Sequence, residues 1–380
     1  MKYAPLTKAE VEGWIQAALA RLERNLPSFT SLFPAPSSKA GRYEPIGNVE
    51  WTNGFWSGML WLAYELSGDQ RYRVIAEHHV QSFHARLRER VNVDHHDLGF
   101  LYTLSCVSAW RLTGNAIARY TALEAAELLL ARYLPNAQII QAWGDLNDPA
   151  QRGRMIIDCN LNLPLLFWAT QITGDPRYAT AAHAHLRQAA RYLVRPDSST
   201  FHTFFMDGVD GRPLYGKTHQ GYADDSCWAR GQAWAMYGFP LCYRYDPDTG
   251  WLKLGKRVSD YFLDRLPNDA ICAWDLVLTS DDAQRDSSAA AIAVCGLLEL
   301  ARSLPITDGR RATYERAAAT MLRELSERYL APLDNQHNGL LMHAVYHMPN
   351  GVGVDESCIW GDYFYLESLM RVSRPWTPYW

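Results

Sequence analysis

Three segments of this chain hold the residue types that could do chemistry. Asp94-His95-His96-Asp97-Leu98-Gly99-Phe100 packs two acids and two histidines into the approach to an apolar stretch. Farther on, Ile156-Ile157-Asp158-Cys159-Asn160 sets a carboxyl after two isoleucines and before a cysteine. An apolar setting raises a carboxyl pKa when the group is buried. A carboxylic acid kept protonated near neutral pH is what general-acid catalysis needs. Two acids on adjacent inner helices also match the carboxylate pair that cleaves glycosidic bonds. Each acid has a plainer reading as a helix N-cap. The third segment, Trp228-Ala229-Arg230-Gly231-Gln232-Ala233-Trp234, puts Arg230 one turn from Trp234 on one helix face. That pairing suits a planar carboxylate on a ring substrate. Alternatively, Arg230 caps the helix or bridges to a loop acid such as Asp224. His202 and the run Thr218-His219-Gln220-Gly221 lie in the loop before this helix, and each alone is a weak signal.

Other chemistries lack their residues. The pairs His95-His96, His78-His79 and His183-x-His185 do not have the i,i+4 spacing of helical zinc ligands, so no metal is expected. A phosphate-cradling glycine loop and a Gly-x-Ser-x-Gly elbow are also absent from the sequence.

These segments need elements to hold them. Six apolar, aromatic-rich helical stretches recur, beginning at Asn53, Asp97, Asp158, Asp225, Asp286 and Asp355, and most open with a carboxylate or amide. Six more polar helices alternate with them, at 7–26, 70–90, 116–133, 176–194, 251–265 and 310–330. Helices apolar nearly all round belong in a core, and those with one polar face outside it. The alternation predicts two concentric rings, with the inner N-termini gathered at one end. Ser67-Gly68-Asp69, Thr113-Gly114-Asn115 and Thr173-Gly174-Asp175 are near-copies of one turn, a signature of internal repetition. The loops entering inner helices (135–157, 196–224, 267–285 and 331–354) exceed what a connection requires, as functional loops do. An all-α fold with residues 1–380 as one domain is the expectation.

Composition narrows the function. Hydrophobic residues make up 48% of 380, enough for a large core. A formal net charge of −4 and the lack of a basic block argue against nucleic acid. Fourteen Trp and 21 Tyr brace the core or line a sugar site, since apolar sugar faces pack on aromatic planes. Seven scattered cysteines without a Cys-x-x-Cys pair suggest reduced, buried thiols. The start Met1-Lys2-Tyr3-Ala4-Pro5-Leu6 has no apolar signal core, and no run is long enough to span a membrane. A cytoplasmic location is expected.

Taken in order, Trp51-Thr-Asn-Gly-Phe-Trp56, Asp94 to Phe100, Gln141-Ala-Trp143-Gly and Ile156-Ile157-Asp158 form a familiar series. It continues through His202, Thr218 to Gly221, Trp228 to Trp234, Arg285-Asp-Ser-Ser-Ala289 and Ile359-Trp-Gly-Asp-Tyr363. Over essentially its whole length the chain resembles the unsaturated glucuronyl hydrolases, glycoside hydrolase family 88. The resemblance implies an (α/α)6 six-hairpin barrel, with Asp158 as general acid/base and Asp97 as second essential acid. It implies that Trp51, His96, Trp143, His202, Gln220, Arg230 and Trp234 line the sugar pocket. The implied substrate is a small lyase-generated oligosaccharide ending in a 4,5-unsaturated uronic acid, of glycosaminoglycan or gellan type. Protonation and hydration of its C4=C5 vinyl ether need no metal or organic cofactor. Two neighbouring readings are an unsaturated rhamnogalacturonyl hydrolase and a sugar isomerase using His96 with His202 or His219. A non-catalytic sugar-binding barrel would not need Asp158 in its apolar setting.

Overall fold

Three turns set the repeat. In the computed structural model, which describes residues 5–148 and 151–380, Gly68, Gly114 and Gly174 adopt left-handed φ angles of 75°, 72° and 76°. Asp69, Asn115 and Asp175 follow them and accept bonds from the backbone N–H of Arg71, Ala118 and Arg177. A left-handed glycine stops one helix and a capped acid or amide starts the next, as the sequence predicts.

Among the described residues twelve helices result, alternating outer and inner, in an (α/α)6 barrel. The outer ones are Lys8–Asn25, Gln70–Arg88, Ala116–Leu130, Pro176–Gln188, Thr249–Leu263 and Arg311–Glu324. The first inner helix is Asn53–Ser67, and the second runs from Leu98–Tyr102 through a π turn, Thr103–Val107, to Ser108–Thr113. The third to sixth are Leu163–Thr173, Ala229–Tyr243, Ser287–Ser303 and Ile359–Ser373. Burial separates the rings. Every residue from Ala229 to Cys242 is buried, whereas Gln70–Arg88 buries one face.

Glycines let the inner ring close. A Cβ on Gly54 would lie 2.1 Å from the Phe100 carbonyl, and one on Gly99 would lie 2.3 Å from Asn162 Cα. Gly238 meets Asn160, Gly296 meets the Met236–Tyr237 backbone, Gly361 meets Ser288, and Gly58 meets Tyr363. Each junction between neighbouring inner segments thus has one glycine where a side chain would collide. The second and third segments, which carry Asp97 and Asp158, are held together by Gly99 and by the bond from Phe100 N–H to Asn162 Oδ1 (2.8 Å).

The two ends of the barrel differ. At one, the long loops fold into short antiparallel pairings, including Arg154–Ile156 with Thr203–Met206 and Pro213–Lys217, and Ala344–His347 with Val352–Glu356. The other is closed by the chain's last residues. Trp380 is fully buried, lies parallel to Phe364 at 6.0 Å and donates to Glu367 Oε2 at 2.9 Å. Arg371 beside it pairs with Glu299 and Glu367 at 2.8 and 2.9 Å.

Several expectations need correcting. The short strands were not expected. Among the six acids and amides expected to open inner helices, only Asp286 caps with its side chain, accepting from Ser288 and Ala289 N–H. Asp97 makes no such bond, and Asp158 lies inside a 3-10 turn, Ile157–Leu161, ahead of its helix. Asp225 and Asp355 are exposed, and their helices begin later, at Ala229 and Ile359. Met1–Ala4, which carried the reading of the N-terminus, and Pro149–Ala150 in the loop 135–157 lie outside the described residues. All seven cysteines are buried and unpaired. Among the described residues no helix is long and apolar enough to cross a membrane.

The glycine contacts make a direct prediction. Gly99→Ala must push the second inner helix off Asn162, and overpacking of this kind costs about 1–3 kcal/mol. Urea denaturation should show that loss, and an unchanged midpoint would mean the segments separate freely.

Candidate active site

The open end holds a cavity of about 250 Å³. All nine residues singled out by the sequence line it: Trp51, His96, Asp97, Trp143, Asp158, His202, Gln220, Arg230 and Trp234. His219, Trp228 and Tyr346 complete the wall. Sequence reasoning named His219 only in the isomerase reading and Trp228 only as part of its segment, and gave Tyr346 no role. Trp228, two residues before Arg230, could have been found by its ring, which lies 4.3 Å from the guanidinium. Tyr346 comes from a hairpin with no distinguishing pattern.

At the bottom sit two carboxyls and an imidazole. His96 Nε2 is 3.4 Å from Asp97 Oδ1 and 3.3 Å from Asp158 Oδ1. The imidazole is buried, while the carboxylate side chains are 15% and 16% exposed. Since neither acid caps a helix, both are left to face the cavity. Their environments split them. Burial pushes the Asp158 carboxyl well above the ordinary range, the negative charge of Asp97 raises it further, and Arg230 only partly opposes this. Burial also pushes Asp97 up, but His96, the contact with His95 at 3.2 Å and the charge of Arg132 outweigh it and leave Asp97 below its usual value. The two shifts run in opposite directions, Asp158 holding its proton more tightly than an ordinary carboxyl and Asp97 less tightly. That is the division of labour in an acid-catalysed site. Burial lowers the His96 imidazole to about 4, so it is neutral near pH 7.

These three side chains bring their donor atoms within 4.8 Å of one another, close enough to admit a small divalent ion. His96 Nε2 stands between the two carboxyls, and Asp158 Oδ1, buried, has no hydrogen-bond partner among the described residues.

The walls are aromatic and braced from behind. Trp51 stacks on Trp360 at 5.3 Å and donates to Tyr346 Oη at 3.1 Å. Trp143 carries Arg154 over its face at 4.7 Å, and Trp234 packs on Phe100 at 5.3 Å. His202 lies against Trp228 at 4.2 Å, and its Nδ1 accepts from the backbone N–H of His219 and Gln220. Its proton therefore sits on Nε2. Burial, followed by the charges of His219 and Arg230, takes His202 well below the usual histidine value and keeps it neutral.

Arg230 lines the cavity and is held by the elements around it. Its Nη1 donates to the Val345 carbonyl and lies 3.6 Å from Asp286 Oδ2; its Nη2 donates to Gln220 Oε1 at 3.1 Å and the Tyr346 carbonyl at 2.8 Å. Asp224 is not its partner. Three hydrogen bonds to the protein hold the guanidinium in place at the cavity wall.

A helical barrel with an acid pair split into protonated and ionised members, beneath tryptophan walls, defines the class as a glycoside hydrolase. The particular family follows from comparison: the chain matches Glycosyl Hydrolase Family 88 over residues 28–328 and belongs to it. It is 47% identical over 376 residues to the unsaturated chondroitin disaccharide hydrolase of Streptococcus pneumoniae, covering 99% of this chain and 95% of that one. With the unsaturated glucuronyl hydrolase of a Bacillus species it shares 45% identity over 371 residues, 97% of this chain and 98% of the relative. The crystal structure of unsaturated glucuronyl hydrolase from Streptococcus agalactiae superposes with a TM-score of 0.97 at 46% identity, covering 99% and 95% of the two chains.

Two measurements test the electrostatics. Asp97→Asn removes the charge that raises Asp158, so the alkaline limb of kcat/KM should move to lower pH. An unmoved limb would assign it to another group. Wild-type stability should fall as pH rises from the ordinary carboxylate value toward the raised one of Asp158, because over that interval only the unfolded chain releases the proton. The melting temperature of Asp158→Asn should therefore gain on the wild type between pH 4 and pH 8.

Arg230→Lys keeps the charge but cannot reach Asp286 and the flanking carbonyls together. Its melting temperature should fall, because a partner of a buried pair is left exposed to loss. A variant as stable as the wild type, with KM raised about tenfold, would restore Arg230 as a substrate ligand.

Proposed function

We propose that this chain is a hydrolase that releases the 4,5-unsaturated uronic acid from the non-reducing end of lyase-generated oligosaccharides of glycosaminoglycan or gellan type. The observation that carries this reading is the pairing of Asp158 and Asp97 about His96 at the bottom of one tryptophan-walled cavity, where burial pushes the Asp158 carboxyl up while its neighbours hold Asp97 down. Family membership and the names of its relatives support the substrate class.

The chemistry follows from the substrate's double bond. C4=C5 is a vinyl ether, so a proton delivered to C4 leaves a cation at C5 that the ring oxygen stabilises. Asp158 supplies that proton. Water adds to C5, and the Asp158 carboxylate takes the proton that water releases. The resulting hemiketal opens by cleaving the bond from C5 to the ring oxygen. C1 then carries a hemiacetal, which collapses to an aldehyde and frees the second sugar. Asp97 stays ionised beside the developing positive charge and stabilises it. Trp51, Trp143 and Trp234 stack against the sugar faces, and His202 and Gln220 offer neutral polar contacts.

The isomerase reading is weaker, because His96 Nε2 is committed to two carboxyls and His202 Nδ1 to two backbone N–H groups. We place the protein in a cytoplasm and treat residues 1–380 as one catalytic unit. The unpaired buried thiols support the former and the closed inner ring the latter.

An unsaturated chondroitin disaccharide should lose its conjugated ultraviolet absorbance on incubation. In deuterated water the product should carry deuterium at C4. An unlabelled C4 would mean direct displacement at C1 and end the vinyl-ether mechanism. Asp158→Asn should fold and lose at least ~10²-fold in rate, the scale of a general acid. A pectic disaccharide turned over much faster would favour the rhamnogalacturonyl alternative.

The reaction calls only for a proton and water. Activity should therefore survive exhaustive chelation, whereas collapse with recovery on adding a divalent ion would turn the trio into a metal site.

A further inference from the structure

A second cavity, of about 210 Å³, opens beside the first and shares Trp143 and His219 with it. It is built on one face of the three-stranded sheet. Arg154 pairs with Phe205 across the strands, and Thr203 pairs with Lys217. Cross-strand partners, and residues two apart on one strand, project to the same side. Arg154, Phe205, Thr203 and Lys217 therefore share a face, and all four line the cavity. The Arg154 guanidinium is held by rings, 4.7 Å from the centroid of Trp143 and 5.2 Å from that of Phe205. Aromatic faces attract a cation yet leave its five N–H donors without oxygen acceptors. Among the described residues no side-chain hydrogen bond or ion pair engages Arg154 or Lys217. Asp224, which accepts the Thr218 N–H at 3.0 Å, pairs with neither. Thr203 is buried, and its Oγ1 also has no hydrogen-bond partner among the described residues. Burial lowers the Arg154 guanidinium, the direction taken by a cation withdrawn from water without a counter-ion. The other arginines near the acids are engaged: Arg132 donates to the Gln141 and Gly144 carbonyls, and Arg230 makes three bonds.

We propose that this second cavity is an anion subsite, in which Arg154, Lys217 and the Thr203 hydroxyl take a sulfate or carboxylate carried by the sugars that follow the unsaturated uronic acid. The inference rests on the reaction proposed above, which seats the uronic ring over Asp97 and Asp158. Trp143 borders both cavities. A saccharide that stacks on it with its first ring over the acids carries its next substituents toward Arg154. Sulfate and carboxylate oxygens fit a guanidinium edge through paired N–H bonds, and an ammonium adds charge without a fixed direction. The threonine hydroxyl supplies one further bond. A neutral substituent would leave both cations unmatched. The subsite thus selects within the substrate class, favouring glycosaminoglycan fragments that bear anions beyond the first ring over fragments whose following sugars are neutral.

The test compares three kinds of substrate at low ionic strength. One is the unsulfated unsaturated chondroitin disaccharide, neutral beyond its uronate. The others are its 4- and 6-sulfated forms and the unsulfated tetrasaccharide, whose third ring is a second uronate. Wild-type kcat/KM should favour at least one charged substrate over the neutral disaccharide by about tenfold or more. The double variant Arg154→Gln with Lys217→Gln should bring that ratio close to one. Taking a ratio cancels any general effect of removing Arg154 from the face of Trp143. An advantage confined to a sulfated disaccharide places the anion on the second sugar, and one confined to the tetrasaccharide places it on the third. A wild-type ratio near one, or a ratio that the double variant leaves unchanged, overturns the proposal. Inorganic sulfate gives a readout without turnover. Titrated into protein labelled with nitrogen-15 arginine, it should shift the NMR signal of Arg154 Nε–H, which Arg154→Gln identifies by its loss, and Lys217→Gln should weaken the shift. An Arg154 signal indifferent to sulfate overturns the subsite whatever the reaction. If no disaccharide is turned over, the proposed reaction falls, while this titration still decides whether the anion site exists.

Discussion

Two carboxyls confined to one water-poor pit cannot both be charged, and the rest of the molecule is arranged around that constraint. At a separation under 4.8 Å and an effective dielectric near 20, two like charges repel by roughly 3–4 kcal/mol. One proton therefore stays, and its location depends on small asymmetries. His95 and Arg132 stand on the Asp97 side and leave Asp158 the burial. Such a split survives only if the groups cannot drift toward water. The glycine contacts of the inner ring serve this end, because Gly99 against Asn162 fixes the distance between the two acid-bearing segments with backbone rather than with flexible side chains.

The remaining parts divide by rigidity. Asp97 and Asp158 sit at the starts of packed inner segments, where displacement would disturb the core. Trp143, Gln220 and Tyr346 sit in loops and hairpins that can change without disturbing the ring. Trp51 and Trp234 join the two sets through Phe100, which packs against both of them and against Trp380 at the closed end. The floor of the sugar site thus rests, ring upon ring, on the chain's last residue.

Much of this was legible in the sequence, for identifiable reasons. The helices announced themselves through Gly-Asp and Gly-Asn turns and through the contrast between all-round and one-sided apolar faces. Asp158 stood out because isoleucines and a cysteine surround a charged residue. The plainer reading of an acid before an apolar run, a helix cap, fails at all but one of the six inner segments. A cap requires the side chain to turn back on its own backbone, which local sequence does not decide; only Asp286 does so. The strands escaped notice because they are two to five residues long and paired at a distance, as Thr203–Met206 is with Arg154–Ile156. Arg230 was matched to the acid nearest in sequence, Asp224, whereas the barrel brings it Asp286 from the next inner helix. Pairings made by ring closure leave no local trace.

That last pairing shapes the charge the substrate meets. Arg230 and Asp286 largely cancel, and the histidines at the pit with resolved shifts, His96, His202 and His219, are all lowered toward neutrality. Asp97, offset in part by Arg132, is then the negative charge beside the acid. A uronate adds a second negative charge at short range. The new charge acts on Asp158 in the same direction as Asp97. Binding therefore tightens the hold of Asp158 on its proton until the double bond takes it. A substrate lacking the carboxylate would leave Asp158 with a looser hold on its proton and would lose its own contacts.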